Sequence, residues 1–145
     1  MYPQLSLYID GQFLHGEGRR EQDVLNPATN QVIGLLPHAT QSDLDLALTS
    51  AERAFVSWRN SSAMQRAEVL HKVAGLIRER VSDIGRNLTL EQGKPLAESR
   101  TEIAYAASFI EWFAEEGKRV YGDVIAPPAD DRRVVVIKQP IGPSF

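Results

Sequence analysis

The residues that could carry chemistry fall into a few groups. Gly16-Glu17-Gly18 begins like a glycine-rich dinucleotide turn, but Glu21 stands where the third glycine belongs, and no helical pattern follows. A phosphate cradle of that type needs a strand before it and a helix after it, so the segment reads as a loop. Gly93-Lys94 is followed by Pro95, where a P-loop needs Ser or Thr to hold magnesium, and Leu88 replaces its first glycine. It reads as a joint between helices. His15, His38 and His71 show no metal-site spacing with one another or with another ligand type. No serine stands in a G-x-S-x-G elbow, and there is no cysteine to act as nucleophile or thiolate ligand. Glu115-Glu116, and Glu91 with Glu98, read as solvated helix charges, because adjacent helical residues face different ways. The set of most interest is aromatic. Tyr105, Phe109 and Trp112, at i, i+4 and i+7, share one side of a helix. Two readings stand for them: core packing, or one wall of an apolar pocket or tunnel.

Those aromatics sit in residues 90–123, the stretch around which the chain is organised. Ile103, Ala107, Ile110 and Ala114 make a second apolar stripe on the same helix. A helix apolar on more than one face is one that other elements must cover. It is expected to run to about Val120.

The rest of the chain is read outward from that helix. Asp10-Gly11 between short apolar runs signals a hairpin. Asn26-Pro27-Ala28-Thr29-Asn30, between Val24–Leu25 and residues 31–36, signals another, closed by Pro37. Thr40 with Asp43, and Ser62 with Gln65, have capping-box spacing. The first opens a helix with Leu44, Ala47, Leu48, Ala51, Ala54, Phe55 and Trp58 on its packed face and Asp43, Glu52, Arg53 and Arg59 on its wet face. The second opens a helix that breaks near residues 80–82. Gly93 suits a left-handed helix end, and Pro95 the first turn of the next helix. Gly122, Pro127 and Pro128 then impose a non-helical connection. Residues 132–138, RRVVVIK, form an uninterrupted β-branched run, typical of a strand covered on both faces or lying in a subunit interface.

With 145 residues the chain amounts to one domain or part of one, long enough to bury roughly 70% of its unfolded surface. Its net charge is −3 with both signs interspersed, which argues against a nucleic-acid or membrane partner held by bulk charge. With no cysteines, disulfides are excluded. The first residues lack the basic start and apolar run of a signal peptide, and no apolar run approaches the roughly 20 residues of a membrane span. A cytoplasmic protein is expected.

Four motifs, in this order and spacing, give the chain a family resemblance: Tyr8-Ile9-Asp10-Gly11, Asn26-Pro27-Ala28-Thr29, Glu91-Gln92-Gly93-Lys94-Pro95 with Leu96 and Glu98, and Lys138-Gln139-Pro140-Ile141-Gly142. Across residues 5–142 the chain resembles the N-terminal part of the NAD(P)-dependent aldehyde dehydrogenases. Trp112-Phe113-Ala114-Glu115-Glu116, Tyr121-Gly122-Asp123 and the final motif with Ile137 look most like the succinate-semialdehyde dehydrogenase group.

The resemblance implies an α/β fold class, here the N-terminal portion of the aldehyde dehydrogenase fold. Residues 5–36 would be its opening strands, 41–120 helices of the cofactor domain, and 131–138 a strand of the oligomerisation arm. It implies oxidation of an aldehyde, succinate semialdehyde foremost, with NAD or NADP in the complete enzyme, and assembly as a homo-oligomer, dimer or tetramer. Chemistry in that family runs through a cysteine thiolate, a glutamate-activated water and an oxyanion-holding asparagine. None of the three is matched by a residue here, and Pro143 departs from the family pattern. No catalytic, cofactor-binding or metal residue is therefore carried over with a role, and this chain is expected to hold no cofactor and to be inactive alone. The resemblance does place Tyr105, Phe109 and Trp112 beside a substrate tunnel. It also sets Val24, Leu25 and Glu91 at positions that bind a structural cation in some members, with Glu91 replacing the usual aspartate. The alternatives to an enzyme's front end are a non-catalytic module that pairs with full-length subunits, and a truncated or frameshifted product. Without the parallel sheet its helices would normally cover, the chain is expected to unfold with weak cooperativity.

Overall fold

A computed structural model describes residues 2–144. Strands β1 (Leu7–Ile9) and β2 (Gln12–Leu14) form the first antiparallel hairpin. Its two turn residues, Asp10 at φ 52° and Gly11 at φ 78°, both take the left-handed conformation of a two-residue hairpin turn whose twist matches the strands. Strands β3 (Glu21–Leu25) and β4 (Val32–Pro37) form the second, with an irregular register between Val24 and Leu25. Asn26 shapes the turn, its side-chain oxygen accepting from the Ala28 N–H at 2.9 Å. β3 starts three residues earlier than the apolar pattern predicts. Glu21, Gln22 and Asp23 are exposed, so they carry no apolar signal, yet they complete the ladder with Pro37, Leu36 and Leu35.

Four helices follow: α1 (Gln41–Trp58), α2 (Ala63–Glu79), α3 (Val81–Gln92) and α4 (Leu96–Glu116). Both capping boxes form, Thr40 with Asp43 and Ser62 with Gln65. α2 and α3 meet at Arg80, within the predicted break. Gly93 closes α3 at φ 74°, and a Cβ there would meet the Pro27 ring at 3.0 Å. Pro95 is the residue before the first turn of α4 rather than within it, with ψ 140°. α4 ends at Glu116, short of Val120, because Gly117 caps it; Lys118 and Arg119 continue only as a turn on the Glu115 and Glu116 carbonyls.

The helical core is a seam of small residues. α4 packs against α2 and α3, and the fully covered positions are Ala67 and Ala74 of α2, Gly85 of α3, and Ser99, Ala107 and Ala114 of α4. A Cβ at Gly85 would lie 3.2 Å from the Arg100 backbone nitrogen, so the backbones of α3 and α4 approach closely there. The Ser99 hydroxyl is satisfied by the Thr89 hydroxyl at 2.8 Å.

Three expectations fail here. Asp43 is not on a wet face: it is buried, because Arg19 reaches it from the β2–β3 loop. The face of α1 expected to pack leaves Leu44, Leu48 and Trp58 about half exposed, since α1 packs mainly against the short β1 strand of a two-stranded hairpin. The run 132–138 is not covered on both faces. Only β6 (Val134–Val136) is strand, and it pairs antiparallel with β5 (Asp123–Ile125), a strand too short to show in the pattern. Val135 and Ile137 remain open to solvent.

The three sheets are separate two-stranded hairpins. The consequence shows in the total surface, 11,003 Å². A compact monomer of 16.1 kDa would expose about 7,400 Å². The chain therefore buries roughly 53% of its unfolded surface rather than roughly 70%.

Candidate functional site

α4 carries two faces of opposite fate. Its small-residue stripe is the seam described above, with Ala107 and Ala114 fully covered and Ile103 and Ile110 half-buried. Its aromatic stripe is open: Tyr105 is 62% exposed, Phe109 47%, Trp112 66% and Phe113 59%. The core-packing reading of Tyr105, Phe109 and Trp112 does not hold, and neither does the expectation that α4 is covered all round. The α2–α3 pair covers one side of α4, and among the described residues no other element covers the second.

The structure does bring the three aromatics together. Tyr105 and Phe109 meet edge to face with ring centroids 4.7 Å apart, a favoured arrangement for aromatic quadrupoles. With Ser108, Trp112 and Phe113 they line a shallow open depression of about 360 Å³. No opposing wall faces it among the described residues.

Beside it the carboxylates of α4 are engaged. Glu111 receives both Nε and Nη2 of Arg78, at 2.9 and 2.7 Å, and this holds its carboxyl below the usual range. Glu115 accepts from Lys118 at 2.6 Å and pairs with His71 at 2.8 Å, which lowers it as well. Glu116 pairs with Arg119. These acids tie α2 and the turn after α4 to the helix.

The remaining candidates are also placed. Gly16-Glu17-Gly18 lies in the loop joining β2 to β3, strand to strand, so it offers no helix N-terminus to a pyrophosphate and does not fit a dinucleotide. Among the described residues no three His, Asp or Glu side chains gather as a metal site. Val24, Leu25 and Glu91 do line one cavity, of about 530 Å³. Glu91 is occupied there by the Tyr2 hydroxyl at 2.5 Å, and burial with that bond pushes the Tyr2 phenol up to about 12.

Local spacing missed the Arg19–Asp43 pair. Arg19 donates Nε and Nη2 to the two Asp43 oxygens at 3.0 and 2.7 Å, and Thr40 adds its N–H and hydroxyl at 2.8 Å each. These bonds hold the Asp43 carboxyl well below its ordinary range. The pair fixes the β2–β3 loop to the start of α1. The signal for it was an arginine beside a glycine-rich loop, with its partner 24 residues away.

Four helices, three hairpins and an open aromatic face are matched by known proteins. The chain belongs to the aldehyde dehydrogenase family, which matches residues 13–145. Glutarate-semialdehyde dehydrogenase of Pseudomonas putida is 47% identical over 135 residues, covering 93% of this chain and 28% of that protein. The NADP(+) succinate-semialdehyde dehydrogenase of Escherichia coli is 48% identical over 134 residues, covering 92% and 28%. The crystal structure of succinate-semialdehyde dehydrogenase from Burkholderia pseudomallei superposes with a TM-score of 0.91 at 42% identity, covering 96% of this chain and 29% of that one. The chain thus spans less than a third of the length of the relatives it matches, and corresponds to the N-terminal part of their fold.

Proposed function

We propose that these 145 residues form the non-catalytic front part of an NAD(P)-dependent aldehyde dehydrogenase that oxidises a dicarboxylic semialdehyde, succinate semialdehyde foremost, to the acid. The observation carrying this is the near-equal identity to two enzymes whose substrates share an aldehyde at one end and a carboxylate at the other. Tyr105, Phe109 and Trp112 would form one wall of the substrate tunnel, giving the carbon chain apolar surface. The complete enzyme would use NAD or NADP; no residue of this chain is assigned to it. Residues 5–36, 41–120 and 131–138 would serve as opening strands, cofactor-domain helices and oligomerisation-arm strand of a cytoplasmic homo-oligomer.

The chain has no cysteine, so it supplies no thiolate for a covalent thiohemiacetal. The test is direct. Purified chain is mixed with succinate semialdehyde and NAD or NADP, and nicotinamide reduction is followed by absorbance. No aldehyde-dependent rise above the enzyme-free control is expected. Steady turnover overturns the assignment of these residues as non-catalytic.

A second reading, a module that pairs with full-length subunits, is favoured by one observation: β5 and β6 form a two-stranded ribbon with Val124 83% and Val135 62% exposed. An exposed β-branched edge invites strand addition. Co-expression with a tagged full-length succinate-semialdehyde dehydrogenase checks it, and a chain that never co-elutes rules it out.

A further inference from the structure

A second cavity, of about 550 Å³, lies away from the aromatic wall, where the end of α1 meets the start of α2 and the segment after β6. Three cations line it, each from a different segment: Arg59 at the end of α1, Arg66 in the second turn of α2, and Lys138 after β6. The lining contains no carboxylate. Among the described residues, none of the three has an acidic partner within 4.0 Å. Phe55 and Trp58 supply an apolar floor.

Two of the cations are held in place. The Arg59 guanidinium lies over the Phe55 ring, 5.3 Å from its centroid. Arg66 is half-buried and donates one Nη to the Ser61 carbonyl, which anchors the fork and leaves its other donors free. Guanidinium forks match the geometry of carboxylate and phosphate oxygens. Gathering three like charges around one cavity costs repulsion that an anion would relieve. The volume lies within the range of small-molecule sites, and the floor calls for an apolar body behind the anionic group.

We propose that this cavity binds a small organic oxyanion, a carboxylate or phosphate group carried on an apolar body. Arg66 and Arg59 would grip the oxygens, Lys138 add charge, and Trp58 cover the apolar part. The site is separate from the wall formed by Tyr105, Phe109 and Trp112, and does not depend on the function proposed above.

The 145-residue chain is titrated with phenylacetate, phenyl phosphate, inorganic phosphate and neutral phenylacetamide, and followed by amide and indole NMR shifts. The two tryptophans provide an internal contrast. Saturating shifts at the Trp58 indole, with Trp112 unmoved, are expected from phenylacetate or phenyl phosphate; the two arms tell carboxylate from phosphate. Arg66→Gln should weaken binding about tenfold or more, Arg66→Lys less, and Arg86→Gln, a distant exposed arginine, not at all. If Arg66→Gln does not fold, Lys138→Gln in the exposed tail carries the same comparison. An equal response to phenylacetamide or to inorganic phosphate alone overturns the proposal. So does weakening by Arg86→Gln to the same degree, or the absence of saturation up to about 10 mM.

Discussion

The two faces of α4 can be set against each other by a pair of substitutions. Trp112 is 66% exposed, so about a third of a side chain that can cover up to about 250 Å² is buried, or roughly 85 Å². At about 25 cal/mol per Å² its loss in Trp112→Ser costs at most about 2 kcal/mol, an upper bound because the unfolded chain also hides apolar surface. Ser and Trp have similar helix propensities, so the backbone adds little. Ala107 is 0% exposed in the seam with α2. Ala107→Asp puts an unpaired carboxylate there, and an uncompensated buried charge costs about 3–5 kcal/mol.

Helical circular dichroism in urea measures both, at two protein concentrations so that association is seen separately. Ala107→Asp should lose most of the helical signal or shift its midpoint by more than twice the Trp112→Ser shift. Trp112→Ser should also reduce concentration-dependent association, because it removes roughly 165 Å² of exposed apolar surface. The reasoning is refuted if Trp112→Ser destabilises as much as Ala107→Asp at the lower concentration. That result would mean the aromatic face is core in solution and the small-residue seam is not.

Other expectations concern the joints and the pH response. Gly93→Ala forces a Cβ at φ 74° against the Pro27 ring, and should lower stability by about 1–2 kcal/mol in urea titration; Gly93→Asn, which tolerates that conformation better, should lose less. Asp43 has a folded-state pKa below its ordinary 3.8, first through Arg19 and then through Thr40, so the stability it contributes is present above pH 3.8 and is lost as pH falls below that value. The gap in urea midpoint between the natural chain and Asp43→Asn should therefore be open at neutral pH and close in acid; a gap that persists unchanged well below pH 3.8 counts against the ion pair.

What the sequence made legible is what the backbone settles within a few residues. The Asp10-Gly11 turn, the capping boxes at Thr40 and Ser62, the break at Arg80 and the left-handed Gly93 all form as their local chemistry dictates. What stayed hidden depends on partners far along the chain. Asp43 falls on the wet side of α1 by helical period, yet Arg19 draws it inside. β5 is three residues between Gly122 and the prolines, too few to reveal that it pairs with β6. Tyr105, Phe109 and Trp112 share one face, as their spacing implies, but periodicity reports which face seeks a partner, not whether these residues provide one. The oxyanion cavity lay outside reach for the same reason, since Arg59, Arg66 and Lys138 converge from segments up to 79 residues apart.

The distribution of side-chain size carries the last step. In a self-sufficient domain the large aliphatic and aromatic residues fill the interior. Here the covered positions of the α2–α3–α4 seam are alanine, serine and glycine, while Leu44, Val56, Val69, Val73, Leu76, Phe109, Trp112 and Phe113 face out. The excess of about 3,600 Å² over a compact monomer is made partly of such residues. Closed capping boxes and satisfied hairpin turns show helices and strands that are locally complete. Their outward faces nonetheless carry large apolar side chains among the charged ones. The small-residue seam holds the three helices α2, α3 and α4 together, while large apolar residues on their other faces stay open. A wall of aromatic rings can bound a tunnel only if another surface stands opposite it, so the tunnel proposed for Tyr105, Phe109 and Trp112 and the uncovered faces of α1 and α2 call for the same thing, further protein packed on this one.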